Sequence, residues 1–408
     1  MTKIFFATTF TSLIIAGMNF LSGIMIARML LPEDRGLLGS IIFFVPIISF
    51  FFISGLQESA NYYISKFQKH KEKLIKSSVV MSHKLGALAL LLSLIFQAVY
   101  FSDLDTLVYI SAIIFSLQAF VGLSSTVMLE CDLGNFNFAK YNKTRLISYG
   151  VYILGVGLLF VQNIDKNWEL FWLILLNFLL ILSTYIYRIN SFMKIIVSTA
   201  TSQKLEKVLF FHGLKFHYSN LLSFLNKQAD KFIVMKFISL EMFGYYLVAW
   251  NFLYTISSLV SSSLASIAMP HLRRSKDIVK SSIKYVVYSS ILTLATVLVV
   301  GIFSYYSIAL LYSENYKFSE TLSLYLMLPV FFILIKDLMY KVFKSNNMTK
   351  KPLYAEILFI GMFSILIFVF GSSDIYTFIW VFTASLGLAC VYLFYGMYIM
   401  KKGLYSDK

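Results

Sequence analysis

The sequence predicts an all-α integral membrane protein that crosses a bilayer about twelve times, in two six-helix bundles. Three observations predict it: an apolar composition, continuous apolar runs of spanning length, and cations gathered on one side of those runs. Residues of the AVILMFWYC set make up 59% of the 408, and charged residues only 13%. A water-soluble domain is about half apolar and about a quarter charged. Forty Phe and 27 Tyr cannot all hide in one core of this length. Lipid removes the difficulty, because there apolar surface faces outward.

The runs follow in order at 4–27, 36–57, 82–101, 104–130, 145–162, 168–188, 210–237, 242–269, 284–311, 319–343, 353–371 and 375–400. A spanning helix needs about 20 residues. Most runs meet that length alone, the fifth and sixth are tight, and the seventh carries internal charge. The first run is expected to be a retained helix, because it is longer than the about 7–15 apolar residues of a signal peptide. Continuous runs favour helices over barrel strands, which would alternate in segments of about ten residues. Pro46 and Pro329 interrupt the second and tenth spans, where each removes a hydrogen bond and permits a kink.

Cation placement tests the count. Twenty-six of the 35 Lys and Arg fall at the N-terminus, in the even-to-odd loops and at the C-terminus; five fall in the odd-to-even loops and four inside spans. Such a split is the positive-inside pattern, with both termini cytoplasmic. The formal net charge of +15 is therefore read as orientation and not as nucleic-acid binding. The odd-to-even loops are short and leave no room for an outer catalytic domain. Two cysteines, Cys131 and Cys390, give no disulfide framework, and the five histidines form no metal-ligand pair.

A polar segment near 188–209 divides the chain into residues 1–195 and 196–408, six spans each. A repeat supports this division. At an offset of 208, Arg28 falls on Lys236, Glu33 on Glu241 and Gly36 on Gly244. An even number of spans per half gives both halves the same orientation, as parallel repeats require.

Ionisable residues inside spans are costly against lipid and mark function. The seventh span holds most of them. At about 100° per residue, His212, Lys215, Ser219, Ser223, Asn226 and Asp230 form one stripe, with Lys227 and Lys231 at its flank. The stripe is expected to line a wet cavity; packing through interhelical hydrogen bonds is the alternative. Lys227 and Asp230, three apart, are a candidate pair. Arg28, at the outer end of the first span, is a further substrate-binding candidate, and snorkelling is its alternative. Asp230, Glu58 and Glu130 are candidates for a coupling H⁺ or Na⁺. Lys336 and Asp337 are adjacent, about 100° apart, so only one is expected to face inward. The run Lys66–Lys76 suits anionic lipid as well as orientation.

Ala27-Arg28-Met29-Leu30-Leu31-Pro32-Glu33-Asp34-Arg35-Gly36 resembles the A-R-x-L-G-P-x-x-x-G motif of Wzx-type oligosaccharide flippases, in the polysaccharide-transport branch of the MATE/lipid-flippase superfamily. Leu31 stands where that family usually has Gly. Gly244-Tyr245-Tyr246-x-x-Ala249, with Pro270 ending the eighth span, resembles the family's G-x-Y-x-x-A…P pattern. The resemblance implies two six-helix bundles in a V that rock between inward-open and outward-open states. It implies a non-enzymatic carrier of undecaprenyl-pyrophosphate-linked oligosaccharides from the inner to the outer leaflet of a bacterial cytoplasmic membrane, for O-antigen, capsule or exopolysaccharide assembly. Membrane lipids, a polysaccharide polymerase and a chain-length regulator are the implied partners. No cofactor or metal is implied beyond a coupling ion. A drug/cation antiporter and a polymerase or ligase on the same carrier are the rival readings. Three Lys against one Asp on the seventh span argue for an anionic substrate.

Overall fold

The computed structural model describes residues 2–162, 164–199, 202–273, 277–346, 348, 350–370 and 374–401. Among them every regular element is helical. The packing divides the chain into two units: Met1–Leu30 with Leu37–Leu221, and Leu31–Gly36 with Leu222–Lys408.

The first unit begins with α1 (Thr2–Met29) and takes in most of α2 (Pro32–Ile53). Pro32 suits a first helical position, since its missing N–H needs no partner there. Glu33 and Asp34 in the first turn favour the positive end of the helix dipole. Pro46, expected to interrupt this span, lies inside α2, which continues as one helix through it. The helix stops at Ser54 and Gly55, both left-handed with φ of 51° and 68°. A new helix, α3 (Leu56–Lys66), starts there, and the span expected to reach residue 57 ends at 53. The loop expected at Lys66–Lys76 is mostly ordered. A single 3₁₀ turn at Gln68–His70 leads into α4 (Lys71–Tyr100).

The fourth span is two helices, α5 (Thr106–Phe115) and α6 (Gln118–Gly134). Asp105 caps α5 by accepting from the Leu107 N–H at 3.2 Å. Helices α7 (Phe138–Gln162) and α8 (Lys166–Ser198) follow. The polar segment read at 188–209 is therefore mostly helix, because α8 runs on to Ser198 and α9 (Gln203–Phe237) starts five residues later. Lys, Glu and Gln are good helix formers, so a helix need not stop where its apolar run does. The division between units falls inside α9. Its first half is tied to the first unit by Lys84–Glu206 at 2.6 Å and by Asn220 donating to Glu58 at 2.8 Å.

The second unit holds the rest of α9 with α10 (Leu240–Arg273), α11 (Ile278–Leu311), α12 (Lys317–Ser345), α13 (Lys350–Phe370) and α14 (Ile375–Lys401). Helix α10 runs through Pro270 to Arg273, so this proline does not end it. Helix α12 carries Pro329 and packs against α10, α11 and α14. Asp277 and Asp374 cap α11 and α14.

Ten segments among the described residues are long and apolar enough to cross a membrane. The two further long helices, α9 and α10, have 35 and 34 residues and occupy the seventh and eighth expected positions. The outer surfaces of the long helices are apolar: Phe368 on α13 is 91% exposed, and Val161 on α7 and Leu310 and Tyr306 on α11 are almost as open. Small polar side chains lie inside, among them Ser77, Ser78, Ser82, Ser93 and Ser124. Small residues let membrane helices approach closely, while lipid solvates the large apolar ones outside.

Candidate functional site

The second unit contains a network of buried and half-buried charges built from three helices. Asn226 and Asp230 on α9 are one helical turn apart, so both face the same way. That direction is the interior of the unit: Asn226 is 2% exposed and Asp230 1%. Asp230 accepts a hydrogen bond from the Tyr246 hydroxyl at 2.7 Å and pairs with Lys231 at 3.2 Å. The Lys231 ammonium also stands 4.9 Å above the Trp250 ring, and Trp250 stacks between Tyr246 and Tyr254. An aromatic face attracts a cation electrostatically, and burial strengthens the attraction.

Asn226 donates its amide to the backbone carbonyl of Glu356 at 3.1 Å and also to the Glu356 carboxylate. Lys336 of α12 closes this group with a 2.9 Å ion pair to Glu356 Oε2. Lys336 and Glu356 are both almost fully buried. The adjacent Asp337 turns away and meets Lys227 at 2.8 Å, where both side chains are half-exposed. The 100° between neighbouring positions thus separates an interior pair from a half-exposed one.

The expected pairing of Lys227 with Asp230 is replaced by Lys227–Asp337 and Lys231–Asp230. Lys227, Lys231 and Lys336 meet Asp230, Asp337 and Glu356, so the group is formally neutral. Of the α9 stripe, Asn226 and Asp230 pack by hydrogen bonds, Ser223 is half-buried, and the flanking Lys227 and Lys231 are more open than Asn226 and Asp230. The side chains of Lys215 and Ser219 lie outside the described residues.

The first unit places the remaining candidates. Glu58 on α3 accepts from Asn220, and Glu130 on α6 accepts from Asn61 at 2.7 Å. Burial pushes the Glu58 carboxyl above its usual range, and the nearby charge of Glu130 adds to the shift. Arg28 is exposed in the last turn of α1, where a cation suits the helix dipole. His212 stacks on Tyr62 at 5.2 Å, so the upper end of the stripe packs against α3. Among the described residues, no cluster of three or more His, Cys, Asp or Glu is arranged to hold a metal.

Several buried charges escaped the reading of the sequence, Glu356, Arg188 and Asp132 among them. Glu356 is the lone acid in the 353–371 run, and the cost of charge in lipid was signal enough to flag it. Arg188, counted as a loop cation, is a fully buried residue of α8 paired with Asp132 of α6.

The two motifs meet in the second unit. A Cβ added to Gly36 would lie 1.8 Å from the Leu240 carbonyl oxygen, and one on Gly244 would lie 1.8 Å from that of Pro32. The motif tyrosine, Tyr246, is the one that donates to Asp230.

Comparison with solved structures gives the same fold. An inward-facing multidrug resistance MATE family transporter of the MOP superfamily matches with a TM-score of 0.73 at 13% identity, covering 94% of this chain and 95% of that one. The lipid II flippase MurJ, in an inward closed conformation, matches with a TM-score of 0.68 at 15% identity, covering 98% and 93%. An outward-facing MATE transporter matches at 0.62 and 13% identity, covering 98% and 95%. No curated protein matches the sequence. A family model described as polysaccharide biosynthesis protein matches residues 25–320. That stretch carries both motifs and the α9 charges, and the chain belongs to this Wzx-like polysaccharide biosynthesis family, on the fold shared by MATE transporters and the MurJ flippase.

Proposed function

We propose that the chain is a flippase for undecaprenyl-pyrophosphate-linked oligosaccharide repeat units, which it moves from the inner to the outer leaflet of a bacterial cytoplasmic membrane by alternating access. The product serves O-antigen, capsule or exopolysaccharide assembly, beside a polymerase and a chain-length regulator. The observation that carries this reading is a set of intramembrane charges inside a helical unit, in a chain of a polysaccharide biosynthesis family. Charges in a membrane interior are costly and are kept where polar cargo or ions pass. In this reading Arg28, Lys215, Ser219, Ser223, Lys227 and Lys231 meet the polar head group. Asn226 and Asp230 hold the adjoining network. Asp230, Glu58 and Glu130 are the seats for a coupling H⁺ or Na⁺, and the raised affinity of Glu58 for a proton suits that role.

A drug or cation antiporter is the second reading. It is favoured by one observation: the described network pairs each of its three Lys with an acid, so the network itself is formally neutral. Deletion of the gene separates the two. The flippase reading expects lipid-linked repeat units to accumulate on the inner leaflet and surface polysaccharide to fall, with Asp230→Asn giving a partial defect in a stably inserted chain. Normal surface polysaccharide in the deletion, together with increased drug sensitivity, would establish the antiporter instead.

A further inference from the structure

A second feature of the first unit takes no part in the charge network above. Two cavities of about 350 Å³ each lie side by side where the start of α4 meets the end of α8 and the start of α9. One is polar and is lined by Lys69, His70, Lys71, Glu72 and Lys73, with Ser198 and Thr199 across from them. The other is apolar and is lined by Tyr63, Phe67, Leu74, Leu205, Val208 and Leu209. His70 and Lys73 border both. Each is within the size range of small-molecule sites, about 300–1,000 Å³.

The junction is held in place from two sides. Lys76 donates to the Thr199 carbonyl, and Lys84 pairs with the buried Glu206. The polar wall has three lysines against one glutamate. It also includes the first turn of α4, a 30-residue helix whose N-cap residue, His70, makes no side-chain cap bond. First-turn N–H groups and the positive end of a helix dipole add to the attraction for an anion. On the other wall, Phe67 and Val208 are exposed although both are large and apolar. An acidic peptide or a nucleic acid would use the cations and leave this second wall empty. A molecule with an anionic head and a hydrocarbon tail uses both.

We propose that the paired cavities seat an anionic phosphate-headed lipid, with its phosphate against Lys69, Lys71, Lys73 and the start of α4, and the first carbons of its tail against Phe67, Leu205 and Val208. Two sources share that chemistry: an anionic phospholipid of the bilayer and a polyprenyl pyrophosphate. The binding is independent of whether the chain transports anything, so it is read without a transport assay.

The test uses the full chain purified in detergent and titrated by native mass spectrometry with phosphatidylglycerol, undecaprenyl pyrophosphate, phosphatidylcholine and inorganic pyrophosphate. A basic side chain near a membrane surface contributes about 1 kcal/mol to anionic-lipid binding. The triple variant K69Q/K71Q/K73Q should therefore weaken binding of the anionic lipids by about tenfold or more and leave phosphatidylcholine unchanged. The control triple K280Q/K284Q/K350Q, on other exposed cations, should bind as the wild type does. Val208→Asn should weaken the lipids and leave inorganic pyrophosphate unchanged. A preference for undecaprenyl pyrophosphate over phosphatidylglycerol would support the carrier as occupant, and equal binding the bilayer lipid. Equal losses in both triple variants would overturn the proposal, as diffuse charge attraction. Wild-type binding by K69Q/K71Q/K73Q, or lipid binding unaffected by Val208→Asn, would overturn it as well.

Discussion

At the scale of single residues, the informative pair is Lys336–Glu356. Both groups are nearly inaccessible, so each has given up its hydration. Their 2.9 Å contact, the Asn226 amide on the carboxylate, and the Phe359 and Tyr340 rings beside the ammonium stand in its place. A buried pair of this kind adds little net stability, yet removing one partner strands a charge and costs roughly 3–5 kcal/mol. Glu356→Leu alone should therefore lower the unfolding temperature sharply in detergent. The double variant K336M/E356L should recover most of the loss. If the single and double variants melt alike, the charges are not coupled. If the double variant is stable but inactive, the pair is kept for transport and not for folding. Part of this site was legible in advance. Helical spacing put Asn226 and Asp230 on one face, and the adjacency of Lys336 and Asp337 separated their directions. Their partners were not legible, because Glu356 is 130 residues from Asn226 and helical periodicity carries no information across that distance. Counting Lys against Asp on one helix therefore missed Asp337 as the partner of Lys227 and Glu356 as the partner of Lys336.

At the scale of elements, the turn between α1 and α2 and the turn between α9 and α10 are related twice. The sequence aligns Gly36 with Gly244 at an offset of 208, and the structure sets each against the backbone of the other's turn. The obstructing atoms are the carbonyl oxygens of Leu240 and Pro32, which cannot swing aside as a side-chain end would. Gly36→Ala and Gly244→Ala should each force these turns apart, at about 1–3 kcal/mol or more for overpacking. Gly17→Ala is the matched control, because nothing lies within 4 Å of its added Cβ. In the middle of α1 it should be neutral or stabilising by up to about 1 kcal/mol. Thermal unfolding of the three variants decides the matter; a Gly36→Ala as benign as Gly17→Ala would show that the turns separate without cost. The elements themselves were legible only as far as apolar runs mark them. The short helix α3 is amphipathic and has no spanning run. The break between α5 and α6 lies inside one, and the charged end of α8 continues a helix that hydropathy alone would close at 188.

At the scale of the whole molecule, the count of spans and the distribution of cations depend on each other. One miscounted helix reverses the side of every later loop, and the Lys and Arg would then no longer segregate. Among the described residues the structure supplies twelve long helical segments, with α5 and α6 together forming one, and ten of the twelve are apolar enough to cross a membrane. It also removes Arg188 from the loop cations, since that side chain is buried against Asp132, and the remaining excess is still strongly one-sided. Sidedness can be measured directly, because Cys131 and Cys390 are both buried and give little background to a thiol reagent. Single cysteines at Ser102 and Asp374, in exposed odd-to-even loops, should react with a membrane-impermeant maleimide in intact cells. Those at Lys66 and Lys350, also exposed, should react only after the membrane is opened. Reversal at Asp374 and Lys350 alone would place an error between the two halves, where α9 carries its charges through the membrane. Reversal at all four would keep the twelve spans and invert the protein, leaving the Lys-rich wall between α4 and the end of α8 on the outer side.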